Sequence, residues 1–218
     1  MERFDNSIGN FLMLPFLSPT LLQGQTAWFL GTFNPVHQGH MAVAKAAIGQ
    51  FGLQSVVFVP AGNSPWKHQD VAMTSCDQRI AALQSLISSD IELKECAVVS
   101  DVEARLADLK SQEILPENKV TYTWETVATL QHQRKQAGES PARLPLLIGS
   151  DALAGVSMWA KARWLVDNVC WLQAPRAGTP WLDSLDIDGE TVFLNTLRIS
   201  MPVVDVSSTQ LRQQAALV

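Results

Sequence analysis

The chain has 218 residues, of which 47% are hydrophobic and 17% charged, and its formal net charge is −5 at neutral pH. A chain of this length and composition can bury the core of one domain, which excludes disordered and fibrous proteins. The negative charge and the lack of any Lys/Arg run argue against a nucleic-acid or membrane-surface partner, because both need a broad basic face.

The cysteines predict a reducing compartment. Cys76, Cys96 and Cys170 lie far apart in the sequence and form no C-x-x-C pair. The sequence therefore predicts neither a disulfide framework nor a zinc ribbon, and the cytoplasm is the simplest location.

The N-terminal segment 1–24 is predicted to be an extension of a domain that spans residues 25–218. Its apolar stretch could be mistaken for a signal peptide, but no basic leader precedes it, and Pro15 and Pro19 interrupt it. Secretion is therefore the less favoured alternative.

Short apolar runs alternate with helical patterns along the domain. Strands are predicted at 27–30, 55–60, 144–149, 169–173 and 201–206, and helices at 40–50, 74–87, 124–137 and 160–167. Thr74 and Asp77 have capping-box spacing at the start of the second helix. Strands without polar alternation are buried on both faces, so the pattern predicts an α/β fold with a doubly wound parallel sheet. The segments 101–119 and 174–190 do not fit this alternation, and the second is predicted to be a long loop.

The segment 31–40, Gly-Thr-Phe-Asn-Pro-Val-His-Gln-Gly-His, joins the first predicted strand to the first predicted helix. The i, i+3 spacing of His37 and His40 puts both rings on one side of the first helical turn, and Gly39 permits close backbone approach. Imidazole donors and free amide N–H groups stabilise charge on phosphate oxygens. Two alternatives are that the histidines only cap the helix, or that they bind zinc, although a third zinc ligand is missing from the pattern.

The segment Ser207-Ser208-Thr209 with Arg212 follows the last predicted strand. Hydroxyl groups at a helix start cap the helix and donate to phosphate oxygens, and Arg212 adds a planar charged donor one turn later. Such a segment alone is usually only an N-cap. Together with the first segment, it could bind the opposite end of a triphosphate.

Three further polar residues follow predicted strands or begin helices. Lys67 could neutralise a phosphate, although a lone loop lysine is more often simply solvated, and Arg79 on the next helix has the same ambiguity. Asp151, after Gly149, could accept ribose hydroxyls or could cap the next helix.

Aromatic residues next to predicted turns are candidates for stacking on a planar ligand. Tyr122 with Thr123 and, separately, Trp159 lie at such turns, whereas Trp164 and Trp171 are predicted to be core residues.

The two motifs together resemble the signatures of the nucleotidyltransferase superfamily of H-x-G-H type. The residues between them, including Lys67, Arg79, Tyr122-Thr123, Gly149-Ser150-Asp151, Trp159 and Pro175-Arg176, look like those of the bacterial nicotinate mononucleotide adenylyltransferase family. The resemblance covers residues 27–212 and implies a Rossmann-like nucleotidyltransferase fold.

What this resemblance implies is adenylyl transfer from ATP to nicotinate mononucleotide, giving deamido-NAD and pyrophosphate. Magnesium would be bound to the triphosphate more than to protein ligands. Small molecules would be the partners, and a homo-oligomer is left open. The implied catalytic residues are His37, His40, Lys67 and Arg212; the ATP contacts are Gly31, Thr32, Phe33, Gly39, Gly149, Asp151, Ser207, Ser208 and Thr209; the acceptor contacts are Asn34, Tyr122, Thr123, Trp159 and Arg176.

Three residues depart from the family pattern. Leu30 replaces a usual glycine, Asn34 a common aspartate, and Trp66 a histidine that often precedes the lysine. Relatives also usually continue further beyond the second motif than Val218. These departures keep two alternatives open: a nucleotidyltransferase for another phosphorylated small molecule, such as the amide mononucleotide, and a catalytically impaired nucleotide-binding homologue.

Overall fold

The computed structural model describes residues 22–62, 74–112, 120–139, 143–203, 208 and 211–212. Within them the strands are β1 (Thr26–Gly31), β2 (Ser55–Pro60), β3 (Ala97–Val99), β4 (Leu144–Gly149), β5 (Val169–Ala174), β6 (Ser184–Ile187), β7 (Glu190–Phe193) and β8 (Thr196–Arg198). The helices are α1 (Gln38–Phe51), α2 (Cys76–Ser89), α3 (Val102–Ser111), α4 (Thr123–Gln136), α5 (Ser150–Ala154) and α6 (Ala162–Asn168), with a 3₁₀ turn at Val156–Met158.

Six of the strands form one sheet in the order β3-β2-β1-β4-β5-β8, and every pair in it is parallel. The chain runs outward from β1 to β3, then returns to β4 beside β1 and runs outward in the other direction. This topology confirms the predicted doubly wound, Rossmann-like sheet. Its switch point lies between β1 and β4, and ligands in such sheets bind outside the carboxyl ends of the strands at that point.

Two apolar clusters cover the two faces of the sheet. One contains Phe29 and Phe58 with residues of α1 and α2, and the other contains Leu146 and Trp171 with residues of α4 and α6. Alternate residues of β1, β2, β4 and β5 enter opposite clusters, as the period of a strand requires. The apolar runs without polar alternation thus mark strands buried on both faces.

The sixth strand of the sheet lies earlier than predicted. The expectation of a strand at 201–206 is wrong for its described part, since residues 201–203 form no strand and β8 lies at Thr196–Arg198. Pro202 has no N–H to donate to a neighbouring strand, which disfavours pairing there. Two short edge strands, β3 and β8, were not recognised because three residues carry too little pattern.

The predicted long loop 174–190 is partly wrong, because it contains β6 and the turn of an antiparallel hairpin with β7. Asp188 and Gly189 both have positive φ, at 55° and 83°, as a two-residue hairpin turn requires. Leu185, Ile187 and Val192 are buried in the apolar cluster that contains Leu146 and Trp171.

Helix boundaries mostly follow the predictions, with one shift. The capping box of α2 joins Ser75 to Gln78, one residue later than the predicted pair of Thr74 and Asp77. The segment 101–119, which had no assigned structure, contains α3.

The described part of the predicted N-terminal extension packs on the domain. Leu22 is buried in the cluster of α1, and the N–H of Gly24 donates to the carbonyl oxygen of Gly52 at 2.8 Å. Among the described residues, no helix has the length and hydropathy that a membrane span needs.

Candidate active site

The two histidines of the β1–α1 turn cap α1 with their rings. His37 is the N-cap residue, and its Nδ1 accepts the N–H of Gly39 at 3.1 Å. Nδ1 of His40 accepts the N–H of His37 at 3.2 Å, and the two ring centroids lie 3.8 Å apart. The rings therefore satisfy two N–H groups of the helix start in the manner of a capping box. Capping uses only Nδ1, so it leaves Nε2 of each ring for another partner.

These hydrogen bonds also determine the protonation of the pair. A ring nitrogen that accepts a hydrogen bond carries no proton, so the proton of each neutral imidazole lies on Nε2. Burial, with a smaller contribution from the Arg176 guanidinium, lowers the pKa of His37 to about 4. Burial, then His37 and Arg176, lowers the pKa of His40 to about 3. At neutral pH, both rings are uncharged Nε2–H donors.

The turn before the histidines is supported from the core. The Phe33 ring is 2% exposed and packs against Phe29, Phe58 and His40, with centroids 5.4, 5.6 and 5.0 Å away. A Cβ added to Gly31 would lie 3.0 Å from that ring. Phe33 therefore packs His40 against the core, and its own ring is enclosed there. Leu30 packs against the cluster on the other face of the sheet.

Arg79 has a structural role that neither sequence interpretation anticipated. It is 2% exposed and donates to the carbonyl oxygens of Thr32 at 2.8 Å, Ala61 at 2.6 Å and Thr74 at 3.2 Å. It is thus neither a solvated residue nor available as a phosphate ligand. Its guanidinium joins the carboxyl ends of β1 and β2 to the start of α2. Asn34 makes a second link, because its Oδ1 accepts the Thr74 hydroxyl at 2.9 Å.

The second motif lies against the first. The Ser208 hydroxyl donates to the carbonyl oxygen of Pro35 at 2.9 Å, and Nη1 of Arg212 donates to the carbonyl oxygen of Asn34. Two segments separated by more than 170 positions in sequence therefore meet at the β1–α1 turn. Lys67, Ser207 and Thr209 lie outside the described residues.

Asp151 and Arg176 lie together across the switch point, at the ends of β4 and β5. Nε of Arg176 is 3.6 Å from Oδ1 of Asp151, and a Cβ on Gly149 would lie 2.4 Å from the same Oδ1 and 3.0 Å from Nε of Arg176. Asp151 does not cap α5, because Gly149 is the N-cap residue and no side chain caps it. Nε of Arg176 is buried and has no hydrogen-bond partner in the described part of the chain.

The start of α4 carries the predicted acceptor residues. Tyr122 is the N-cap residue, and its N–H donates to Oε2 of Glu125 at 2.9 Å, while Thr123 is the first residue of the helix. Nζ of Lys161 lies 3.3 Å from the centroid of the Trp124 ring. Trp159 packs against the apolar cluster of Leu146 and Trp171 and is only partly buried, so part of this residue is accessible. Trp171 is fully buried, as predicted, whereas Trp164, also predicted to be a core residue, is only partly buried against the same cluster.

Two buried charged residues of α3, Glu103 and Lys110, were missed by the sequence analysis. They lie in the segment that was interpreted only as mixed and polar. Both are buried, at 6% and 5% exposure, and they contact α4. Their spacing of seven residues, which puts two charges on one helix face, was the available signal.

Comparisons with known proteins show the family of this chain. A family profile described as "Cytidylyltransferase-like" matches residues 28–214. A protein of Neisseria meningitidis (serogroup C, strain FAM18) named "Probable nicotinate-nucleotide adenylyltransferase" is 33% identical over 200 residues, covering 86% of this chain and 85% of the relative. One of the same name from Rhodopirellula baltica is 31% identical over 192 residues, covering 85% and 79%.

Solved structures show the same fold. The nicotinic acid mononucleotide adenylyltransferase of Plasmodium falciparum, complexed with NaAD, superposes with a TM-score of 0.65 at 16% identity over 88% of this chain and 83% of that one. Its complex with APC gives a TM-score of 0.64 at 14% identity, with the same coverage. The sequence relatives thus confirm the family that the sequence resembles. The solved structures confirm the fold. The chain belongs to the cytidylyltransferase-like family and, within it, to the nicotinate-nucleotide adenylyltransferases.

Proposed function

We propose that this protein transfers the adenylyl group of ATP to the 5′-phosphate of nicotinate mononucleotide, giving deamido-NAD and pyrophosphate. The observation that carries the proposal is the meeting of Ser208 and Arg212 with the backbone of Asn34 and Pro35 beside the neutral histidine pair. The relatives named nicotinate-nucleotide adenylyltransferase support the choice of acceptor.

The reaction is a single in-line displacement. A phosphate oxygen of the mononucleotide forms a bond to the α-phosphorus of ATP, the bond from that phosphorus to the bridging oxygen of the β-phosphate breaks, and pyrophosphate leaves with the electron pair. No covalent enzyme intermediate is needed, so alignment and charge stabilisation supply the catalysis.

The histidine pair suits the charge that develops in this displacement. Each ring presents an Nε2–H donor that is already oriented by its capping bond, so little reorganisation is needed when charge accumulates on the phosphate oxygens. Neither ring is suited to act as a general base at neutral pH, because its free nitrogen carries the proton. Arg176, whose charge acts on both histidines, and Arg212, which contacts Asn34, add charged donors near the β1–α1 turn.

We also propose that magnesium enters with ATP, bound to the phosphate oxygens, where it would neutralise charge on the leaving pyrophosphate. The donor set suits this arrangement, because Asp151 is already paired with Arg176. Among the described residues, no three His, Cys, Asp or Glu side chains gather as a ligand set.

An acidic pyridine ring fits the start of α4. The positive end of the helix dipole lies at Thr123, and the Lys161 ammonium sits over the Trp124 ring beside it. A ring carboxylate would be stabilised there more than an uncharged amide. Trp159 offers an accessible aromatic surface for the ring itself.

A cytoplasmic location is part of the proposal. All three cysteines are free thiols, and Cys170 is buried, where burial raises its pKa to about 12. Unpaired thiols of this kind are typical of proteins in a reducing compartment.

A pyrophosphate-release assay tests the proposed activity. The protein is incubated with ATP and magnesium plus nicotinate mononucleotide, nicotinamide mononucleotide, phosphopantetheine or no acceptor. We expect release with nicotinate mononucleotide, and a lower kcat/KM with the amide. Preferred use of phosphopantetheine would replace the acceptor, and ATP binding without turnover on any acceptor would indicate an impaired homologue.

A further inference from the structure

Glu103 of α3 connects the end of β2 to α4. Its side chain is buried, Oε2 accepts the N–H of Gly62 at 3.0 Å, and Oε1 accepts the Thr126 hydroxyl at 2.9 Å. Gly62 lies just beyond β2, and Thr126 lies one turn after the predicted acceptor residues Tyr122 and Thr123. One carboxylate therefore joins the strand edge of the site to the helix that carries the acceptor residues.

Close packing of α3 on Gly62 supports this link. A Cβ added to Gly62 would lie 2.4 Å from the carbonyl oxygen of Glu103 and 3.3 Å from Cβ of Ala107, so the backbone of α3 rests directly on Gly62. On the other side, Arg79 holds the carbonyl oxygens of Ala61 and Thr32. A continuous set of hydrogen-bonded groups thus runs from the β1–α1 turn to α4.

Lys110 makes a second contact between the two helices. Its Nζ lies 2.8 and 2.6 Å from the two carboxylate oxygens of Glu125 and also donates to the carbonyl oxygen of Val120. Glu125 in turn accepts the N–H of Tyr122. The buried face of α3 therefore holds the first turn of α4 at two points. We call this arrangement of Glu103 and Lys110 with Thr126 and Glu125 the α3–α4 brace.

Charged groups on α2 and on α4 both act on the pKa of Glu103. Burial raises the pKa of Glu103 to about 7, whereas the bonds from Gly62 and Thr126 and the charge of Arg79 on α2 act to lower it, and Glu125 on α4 raises it. The Cys76 thiol of α2 lies in the same field, and its pKa is raised by burial and in part by Glu103.

We propose that Glu103 is a positioning residue that sets the distance between the β1–α1 turn and the acceptor residues at the start of α4. This inference rests on the proposed function. Glu103 does not touch either substrate in this scheme. Its effect is on where the acceptor phosphate stands relative to the α-phosphate of ATP, and so on the affinity for the acceptor more than for ATP.

Two hydroxyl-deletion variants, one in α4 and one at the amino end of β1, test the inference. Thr126→Val removes the bond to Glu103, and the matched control Thr26→Val removes a 2.9 Å bond to Ser55 at the amino ends of β1 and β2. We expect Thr126→Val and Glu103→Met to raise KM for nicotinate mononucleotide about fivefold or more while leaving KM for ATP within about twofold. Thr26→Val should leave both values unchanged. Glu103→Gln should retain near-normal KM, because its amide oxygen can still accept the Gly62 N–H and its amide NH2 can donate to the Thr126 hydroxyl oxygen.

Each outcome decides between the inference and a merely structural role. Unchanged acceptor KM in both Thr126→Val and Glu103→Met, or equal increases in the two KM values that follow the loss of thermal stability, would overturn it. If the wild-type protein shows no turnover with any acceptor, the proposed function fails instead. Amide hydrogen exchange then decides the role of Glu103: exchange at residues 120–126 should be faster in Glu103→Met than in Thr26→Val, and equal rates would contradict the inference.

Discussion

The β1–α1 turn and the α3–α4 brace solve the same physical problem with opposite chemistry. Each places a buried titratable side chain at the carboxyl end of a strand, where it accepts a backbone N–H. In the turn, the acceptors are neutral rings only two or three residues from their donors. In the brace, the acceptor is a carboxylate whose partners are 41 and 23 residues away. Local spacing organises the first region, and tertiary packing organises the second.

The two regions also differ in how burial acts on charge. Burial of the histidine rings lowers their pKa values and keeps them uncharged at neutral pH. Burial of Glu103 raises its pKa to about 7, so a fraction of the carboxylate is ionised at neutral pH under the compensating charge of Arg79. In both cases the uncharged form is favoured by desolvation. A change in pH therefore has opposite effects on the stability that the β1–α1 turn and the α3–α4 brace contribute.

The largest expected effect comes from removing a histidine N–H donor while keeping the helix cap. In His40→Asn, the amide oxygen can still accept the His37 N–H, but the Nε2–H donor is lost. We expect kcat to fall about a hundredfold or more, because a transition-state donor is removed. Stopped assays of pyrophosphate release measure this kcat. His132→Asn, at an exposed position of α4, is the control, and an unchanged kcat in His40→Asn would contradict the catalytic role.

The next expected effect is on the pH dependence of stability, which differs in sign between the two regions. The histidine pKa values are lower in the folded protein than the unfolded value of 6.5, so their contribution to stability is present above pH 6.5 and is lost as pH falls toward 4. The Glu103 pKa is higher in the folded protein, so its contribution is lost as pH rises from 4.5 to 7, by up to about 3 kcal/mol. The two regions therefore give opposite slopes over an overlapping range.

Urea denaturation between pH 4.5 and 7.5 measures these slopes for wild type, His40→Asn and Glu103→Gln. Relative to wild type, Glu103→Gln should gain stability as pH rises, and His40→Asn should gain stability as pH falls below 6.5. A variant curve parallel to that of wild type would show that the replaced group does not titrate as described.

The smallest expected effects are changes in the free energy of unfolding when two glycines are replaced by alanine. Gly62→Ala should lower the free energy of unfolding by about 1–3 kcal/mol, because the new Cβ meets the backbone of α3 at 2.4 Å. Gly49→Ala, inside α1 with nothing within 4 Å of its Cβ, should raise it by about 1 kcal/mol. Thermal and urea unfolding measure both. Equal effects of the two substitutions would mean that α3 does not pack closely on Gly62.

Much of the site was predictable because its motifs are local. The i, i+3 histidines, the turn residues around Asn34 and the hydroxyl segment with Arg212 each have a chemical meaning within a few residues. The four long buried strands were equally visible as apolar runs. Elements without such local patterns were missed or misplaced, namely the three-residue strands β3 and β8 and the hairpin of β6 and β7.

Arg79 shows why sequence reasoning stops where it does. A lone arginine on a helix is compatible with phosphate binding or with solvent, and only its burial among three carbonyl oxygens assigns it to neither. Glu103 is similar, since a glutamate in a polar segment carries no sign that a strand end and another helix will enclose it. Such roles depend on neighbours that are distant along the chain.

The sequence by itself determined the fold class, the family and the two motifs, because buried parallel strands and phosphate-binding turns depend on short-range patterns of apolar and small residues. Only the tertiary structure decided the rest: that burial keeps the capping rings uncharged, that the second motif lies on the backbone of the first, and that α3 braces α4. These depend on burial and on contacts between distant segments, and both arise only when the sheet has assembled.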